Sequence, residues 1–351
     1  MRTVSRLGTL RVPRPRARRV SRPLIGLLLV GLLGSVLGCS SRPMDQRSRG
    51  ATDGGGSPEG QSGEALVPFD VRPLLKPPRK YLGAALDGAP ESLAPVRDFA
   101  ARIGKQPNLL EYYVEWGGGF DPQRVRNARA ASALPVMVWE PFEPSIADIA
   151  DGASDAYTRK FATAVRTANL PVVISFGHEM NGHWYPWGTE ATDPADFVRA
   201  WRRIHDIFQD VGAANVIWVW SPNVINYLPD APLEPFYPGD SYVDWIGVVG
   251  YYTDSGASTF PTLFGPTTAA VRRFTRKPIL IAETAAEPGP RKRRDVADLF
   301  AGVAASPDVI GFIWFDHHKR ADWRIGSDPS ALAEFKRGAA NGLFGFDVKQ
   351  I

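Results

Sequence analysis

From Tyr81 onward, short and almost continuously apolar runs alternate with segments whose apolar positions return every three or four residues. Eight of the runs read as strands: Tyr81–Ala85, Leu109–Val114, Pro135–Trp139, Val172–Phe176, Val216–Trp220, Trp245–Gly250, Ile279–Ala282 and Ile310–Phe315. Runs such as VVISF, VIWVW, WIGVVG and IGFIWF show no polar alternation, which is the pattern of strands covered on both faces. The segments 91–104, 154–169, 194–212 and 291–306 read as amphipathic helices. In the third of these, Phe197, Ala200, Trp201, Ile204 and Ile207–Phe208 share one stripe, behind Asp193 as cap and Pro194 in the first turn. Alternating β and α units imply a parallel sheet. Eight such units in roughly 270 residues predict an α/β fold of the (β/α)8 TIM-barrel type, a single catalytic domain. An open doubly wound sheet is the alternative, and it is disfavoured because residues 83–88 (GAALDG), after the first strand, do not form a dinucleotide fingerprint.

Composition changes the picture mainly at the N-terminus. With 44% hydrophobic and 22% charged residues in 351, the chain is neither wholly disordered, nor a coiled coil, nor a polytopic membrane protein. Residues 1–38 hold eight arginines and no Lys, Asp or Glu, so removing them turns the formal charge from +4 to −4. The basic balance is therefore no sign of nucleic-acid binding. The arginines precede an uncharged stretch, Pro23–Gly38, which is shorter than the roughly 20 residues of a spanning helix. It ends Val36-Leu37-Gly38-Cys39, and Cys39 is the sole cysteine. A basic region, a short apolar region and a small-residue end are the layout of an export signal, and the register of Cys39 resembles a bacterial lipoprotein signal. The expectation is a signal at 1–38, lipidation of Cys39, a Gly/Ser-rich flexible tether at 39–77 and the barrel domain at 78–347. Two or more acyl chains would hold the protein at the outer face of a bacterial membrane. An ordinary secretory signal with a chance cysteine is the bland alternative. With one cysteine, no internal disulfide is expected.

In a barrel of this kind, chemistry sits where the C-terminal strand ends enter the following loops. Glu179 ends the fourth strand and Glu283 the seventh, so both side chains can converge at one barrel mouth. Two carboxyl groups flanking one bond are what glycoside hydrolysis requires: one protonated to donate to the departing oxygen, one ionised. Trp139, Trp184, Trp187, Tyr251 and Trp314 would supply flat walls for sugar rings, with His178 and Asn181 among the polar groups for hydroxyls. Trp184 and Trp187 lie in a polar loop broken by Gly and Pro, which does not suit a core strand. Metal chemistry finds little support. His178-Glu179 opens like a zinc-protease motif, but the second histidine position is Gly182. Asp316-His317-His318 reads as a solvated loop, and no Gly-x-Ser-x-Gly serine elbow is present. No metal and no cofactor are expected.

The segments FGHEMNGHWYPWG (176–188), WEP (139–141), WSPN (220–223), DWIGVVGYY (244–252), KPILIAET (277–284) and WFDHHKRADWRIGSD (314–328) resemble glycoside hydrolase family 26. That family contains β-mannanases, mixed-linkage β-glucanases and β-1,3-xylanases. The resemblance spans about residues 80–347 and implies a (β/α)8 barrel acting by a retaining double displacement. It assigns Glu179 as general acid/base and Glu283 as nucleophile. His178 and Trp184 would shape the subsites around the cleaved bond, Tyr251 would hydrogen-bond the nucleophile, and Trp314 would be a sugar platform. The sequence departs from family mannanases at Ser175, where an arginine is often found, and at Tyr185-Pro186-Trp187, which looks closer to branches that include mixed-linkage glucanases. Val249 stands where relatives often carry Asp.

The resulting expectation is a monomeric endo-acting hydrolase of a β-linked polysaccharide, first of all β-1,4-mannan, with mixed-linkage β-glucan or β-1,3-xylan as alternatives. A surface lipoprotein that binds glycans without cleaving them is the competing class. Both glutamates being present favours catalysis, since a binder gains nothing from a costly like-charge pair.

Overall fold

A computed structural model describes residues 67–228 and 231–351. The expected signal, Cys39 and the tether as far as residue 66 lie outside the described residues. The compact unit Glu64–Ile351 carries the barrel.

Eight strands close on themselves in chain order, each parallel to its neighbours. They are β1 (Tyr81–Ala85), β2 (Leu109–Glu115), β3 (Leu134–Glu140), β4 (Val172–Phe176), β5 (Val216–Trp220), β6 (Trp245–Val249), β7 (Ile279–Thr284) and β8 (Val309–Phe315). Closure runs through β1 and β8, with Tyr81 opposite Gly311 and Ala85 opposite Phe315. The expected strands differ from these by no more than two residues at either end. The outer layer consists of α1 (Arg72–Leu75), α2 (Ala94–Ile103), α3 (Pro122–Ala130), α4 (Ile146–Asp151), α5 (Asp155–Ala168), α6 (Pro194–Asp210), α7 (Phe260–Val271), α8 (Lys292–Ala305) and α9 (Pro329–Ala340). Among the described residues the β5–β6 connection holds two short 3₁₀ turns, Ile225–Tyr227 and Glu234–Phe236, in place of a helix.

Local chemistry starts and orients these helices. Asp193 accepts from the Ala195 amide at 2.8 Å, Pro194 fixes the first turn, and the apolar stripe of α6 is buried against the sheet. Asp328 does the same for α9 through the Ser330 and Ala331 amides. One continuous apolar core fills the space between barrel and helices.

Two boundaries move. The predicted tether reaches residue 77, yet α1 is docked: Leu74 is buried and its carbonyl accepts from the Tyr81 hydroxyl at 2.9 Å, while the Leu75 carbonyl accepts from Trp245 Nε1. The residues just before β1 thus belong to the folded unit, because two polar groups of the sheet find their partners there. At the other end Val348 is buried, one residue past the predicted limit of 347.

The barrel interior leaves no slack near β1. A Cβ on Gly83 would lie 2.7 Å from Ile313 Cγ1 and 2.9 Å from Leu109 Cβ. Gly83→Ala should therefore destabilise the fold by about 1–3 kcal/mol through overpacking. Urea unfolding would show a lower midpoint at constant slope, and an unchanged midpoint would contradict this packing account.

Candidate active site

Strand parity decides which side chains reach the barrel mouth. In β3, Val136, Val138 and Glu140 point inward, so Trp139 must face the helices. In β2 the inward set is Glu111 and Tyr113; continuing from β5 it is Val219, Ser221 and Asn223; from β6 it is Val249 and Tyr251. Strand β7 breaks the rule. Leu280 and Ala282 face the interior, and simple alternation would send Glu283 outward. A bulge intervenes: Val248 pairs with Ile281, but Val249 pairs with Glu283, and the β8 register shifts at the same place. The extra residue re-aims Glu283 into the mouth.

Glu179 arrives by a different route. It lies three residues past the end of β4, and its backbone is left-handed at φ 55°, rare for a residue with a Cβ. Its amide donates to the Ser221 carbonyl at 2.7 Å and its carbonyl accepts from the Gly182 amide at 2.8 Å, which hold the turn. Gly177, also at φ 55°, starts the same turn against the Phe197 ring, where a Cβ would sit 3.0 Å away.

Both glutamates line one open cleft of about 460 Å³, together with His178, Trp184, Tyr251 and Trp323. Their surroundings differ. Glu179 Oε2 accepts from Trp184 Nε1 at 2.7 Å, and Oε1 accepts from Asn223 Nδ2. Burial, and then the Glu283 charge, raise its pKa to about 7, against the pull of those two donors. Glu283 accepts from two phenols: Tyr251 at Oε1 and Tyr113 at Oε2. His178 is held neutral, its pKa lowered to about 3 by burial and then by Lys319, and its Nε2 lies 3.2 Å from the Tyr185 hydroxyl. Glu140 is a third carboxyl in the cleft, raised to about 7 chiefly by burial.

Among the expected substrate-facing residues, His178, Trp184 and Tyr251 stand in the cleft, and Trp184 is 40% exposed. Trp139, Trp187 and Trp314 are fully buried and do not line it. Trp139 is stacked between Trp116 and Phe161 at 4.3 and 4.4 Å, and Trp314 packs on Phe335 of α9 at 5.4 Å. Both occupy outward strand positions, so the expectation of sugar walls there is corrected to core. Trp187 donates to the His178 carbonyl at 2.6 Å and lies beneath Tyr185, whose ring stacks on it at 4.3 Å. It braces the loop from below and Tyr185 takes the cleft position. Asn181 is likewise buried. Its amide donates to the Asn223 carbonyl at 2.9 Å and its oxygen accepts from the Asn223 amide at 2.8 Å. It therefore positions Asn223 rather than facing the cleft.

After β8 the solvated loop that was expected holds only in part: His318 is exposed, but Asp316 and His317 are buried. Asp316 accepts from the Ile325 amide at 2.6 Å, and His317 Nδ1 meets Asp87 Oδ1 at 2.6 Å. Lys319, Arg320 and Trp323 of this segment reach the cleft. Trp323 lies 4.9 Å from the Tyr251 ring, and the Lys319 ammonium lies over Tyr113 and Phe315 at 5.3 and 5.2 Å. Lys292 of α8 is wholly buried and gives its three protons to Asp322 O, Arg324 O and Ser327 Oγ at 3.1, 2.9 and 3.1 Å. Among the described residues, no group of three or more His, Cys, Asp or Glu is arranged to hold a metal ion.

Sequence reasoning passed over Tyr113, Glu111, Glu140, Asn223, Trp323 and Lys319. Strand parity was the available signal for the first four, since each lies an even number of steps from an inward neighbour. Nothing comparable marks the last two, which depend on a loop path.

A closed parallel barrel with two glutamates at one mouth defines the class of scaffold, a (β/α)8 barrel, and comparison with known proteins agrees on that fold. The family model for Glycosyl hydrolase family 26 matches residues 147–275. The chain is 31% identical over 269 residues to endoglucanase H of Acetivibrio thermocellus, covering 73% of this chain and 30% of that protein. It is 30% identical over 117 residues to a mannan endo-1,4-beta-mannosidase of Bacillus subtilis, covering 31% of this chain and 29% of that one. The chain thus spans under a third of the length of these curated relatives. Among solved structures, a modular endo-beta-1,4-mannanase of Cellulomonas fimi shares the fold at TM-score 0.61 and 16% identity, over 79% of this chain and 74% of that one. Over the matched residues the chain is thus similar to glycosyl hydrolase family 26, and it shares the (β/α)8 fold of the solved mannanase.

The donors on Glu179 have a measurable consequence. Trp184→Phe removes one of two hydrogen bonds that favour the ionised form, so the Glu179 pKa should rise from about 7 by roughly half to one unit. Carbon NMR of side-chain-labelled glutamate would follow it directly. A downward shift would show that the indole does not stabilise the charge.

Proposed function

We propose that the barrel is a retaining endo-β-glycanase in which Glu179 is the general acid/base and Glu283 the nucleophile. The observation that carries this reading is the opposed setting of two carboxyls in one cleft. Glu179 is buried with a raised pKa, and Glu283 receives two phenol hydrogen bonds. A β-linked polysaccharide lying across the mouth would be attacked at its anomeric carbon by Glu283. Glu179 would give its proton to the departing glycosidic oxygen, leaving a glycosyl ester on Glu283. Esterification removes the Glu283 charge, one of the two causes that hold the Glu179 proton on. Glu179 then ionises more readily and can take a proton from water, whose oxygen attacks the anomeric carbon and frees Glu283. His178, Trp184 and Tyr185 would border the reacting sugar.

β-1,4-Mannan is the polymer we place first, supported by the mannosidase relative and the mannanase-like barrel. Mixed-linkage β-glucan is the second reading, favoured by the 269-residue match to a protein named an endoglucanase and by Ser175 in place of arginine. β-1,3-Xylan and a purely glycan-binding role are the remaining alternatives. We also propose that Cys39 carries the lipid that holds the protein at an outer membrane face, a reading that rests on the sequence alone.

Glu283→Ala should abolish turnover with the fold intact. Glu179→Ala should lose about 10²–10⁴-fold on polymer, and far less on aryl glycosides with good leaving groups. Equal losses on both substrates would argue against the acid role. Proton NMR of early product should show the β-anomer; inversion would remove the nucleophile. Because Glu179 must be protonated in the first step, kcat/KM should fall as pH rises through about 7. Reducing-sugar release from mannan, barley β-glucan and β-1,3-xylan, beside binding to each, chooses among the polymers and the binding-only alternative.

A further inference from the structure

Below the cleft, the barrel interior holds a carboxyl group to which the mechanism above gives no task. Glu111 of β2 is 3% exposed and borders a small void shared with Glu283, His178, Ser175 and Ser221. Its hydroxyl contact is with Tyr113, whose oxygen lies 3.1 Å from Glu111 Oε1, and the Glu283 carboxyl also lies within hydrogen-bonding reach of it. The same hydroxyl contacts Glu283 Oε2. A phenol has a single proton, and an ionised carboxylate has none to give. If both glutamates were charged, one of the two contacts would set lone pair against lone pair. The count closes when one carboxyl keeps its proton and Tyr113 accepts from it while donating to the other.

The surroundings decide which carboxyl that is. Glu283 opens to the cleft and has a second phenol donor in Tyr251. Among the described residues Glu111 has no other donor and no ion-pair partner, and its remaining polar neighbour is the Glu283 carboxyl itself. The titratable groups around it are Tyr113 on its own strand, Glu283 of β7, His178 after β4, Tyr251 after β6 and Lys319 after β8. His178 is neutral, and Lys319 is an exposed cation at the cleft. Val136 and Val138 of β3, Val219 of β5 and Val249 of β6 complete an apolar wall, and Ser175 and Ser221 are satisfied by each other at 2.7 Å. Burial, then the Glu283 charge, holds the Glu111 carboxyl well above the usual carboxylate range.

We propose that Glu111 is a positioning residue for the nucleophile: it remains a neutral acid on the barrel floor and donates its proton to the Tyr113 oxygen, which leaves the Tyr113 proton for Glu283. The pair acts as a short donor chain. Polarised from below, the Tyr113 hydroxyl becomes a stronger donor to the carboxylate that attacks the sugar. Glu111 touches no substrate and acts through Tyr113 and through its own contact with the Glu283 carboxyl.

The proposal rests on Glu283 being the nucleophile, so its first test does not use catalysis. With glutamate carbon-labelled at the side-chain carboxyl, the resonance missing from Glu111→Gln should keep its protonated position well after ordinary glutamates, at ~4.3, have ionised. Titration of that resonance in the ordinary carboxylate range overturns the proposal, whether or not the protein hydrolyses anything. The second test uses the acid limb of kcat/KM on a polymer that the wild-type protein cleaves. Glu111→Gln keeps a donor for Tyr113, so the limb should stay within about 0.3 unit. Glu111→Leu removes the donor, and the limb should move up by about one unit. A downward shift in both variants would mean that a negative charge had been removed, and would overturn the proposal. A loss of melting temperature in Glu111→Leu with the limb unmoved would reduce Glu111 to a packing role and overturn it too. If Glu111→Leu does not fold, the glutamine variant and the resonance still decide. A wild-type protein inactive on every polymer defeats the hydrolase reading, and the resonance alone then judges the charge state of Glu111.

Discussion

Four carboxyl groups, Glu111, Glu140, Glu179 and Glu283, share the mouth and floor of one closed barrel, and a poorly solvated interior does not allow all of them to be charged together. That constraint organises the site. Where a carboxyl is enclosed, burial raises its pKa, as at Glu140, Glu179 and Glu111, while two phenols converge on Glu283. The division of labour proposed for Glu179 and Glu283 thus follows from where the backbone leaves room for donors. Cations are kept at the outer wall, where Lys319 and Arg320 line the cleft beside solvent.

The barrel enforces this arrangement through two local departures from regularity. One is the bulge in β7 that turns Glu283 inward; the other is the left-handed turn after β4 that lifts Glu179 above the strand end. Around them the polar side chains form paired supports. Asn181 clamps the backbone of Asn223, which holds Glu179, while Trp187 carries the His178 carbonyl and the Tyr185 ring. Functional side chains placed by irregular backbone need such bracing, because the ladder hydrogen bonds that fix an ordinary strand are missing there.

Much of the scaffold was legible in the sequence, because strands buried on both faces write themselves as unbroken apolar runs and capped helices carry Asp-Pro starts. The two glutamates were legible for a similar reason: Glu283 stands at a strand end and Glu179 just beyond one, where chemistry collects. Tryptophan was misread. Trp139 and Trp314 lie at strand ends too, and aromatic content alone suggested sugar platforms. Parity settles the matter, since Glu140 and Phe315 take the inward positions next to them. Glu283 shows the converse, for parity applied blindly would have turned it outward, and no residue type in Ile279–Thr284 announces the bulge. The docked α1 was missed because its segment, though it holds Val67, Phe69, Val71, Leu74 and Leu75, is short and broken by Pro68, Pro73 and Pro77. His317 and Asp316 looked solvated because their partners, Asp87 and Ile325, are brought to them only by the folded chain.

The buried ammonium of Lys292 fastens the stretch that carries Trp323, using neutral oxygens sealed from water. The rim pairs on the far side, such as Arg203 with Asp155 and Arg199 with Asp151, are open to solvent. Dissolved ions weaken the second kind of contact and hardly reach the first. Brine and fresh water would therefore alter the outer coat of this molecule while leaving the wall beside Glu283 in the same place.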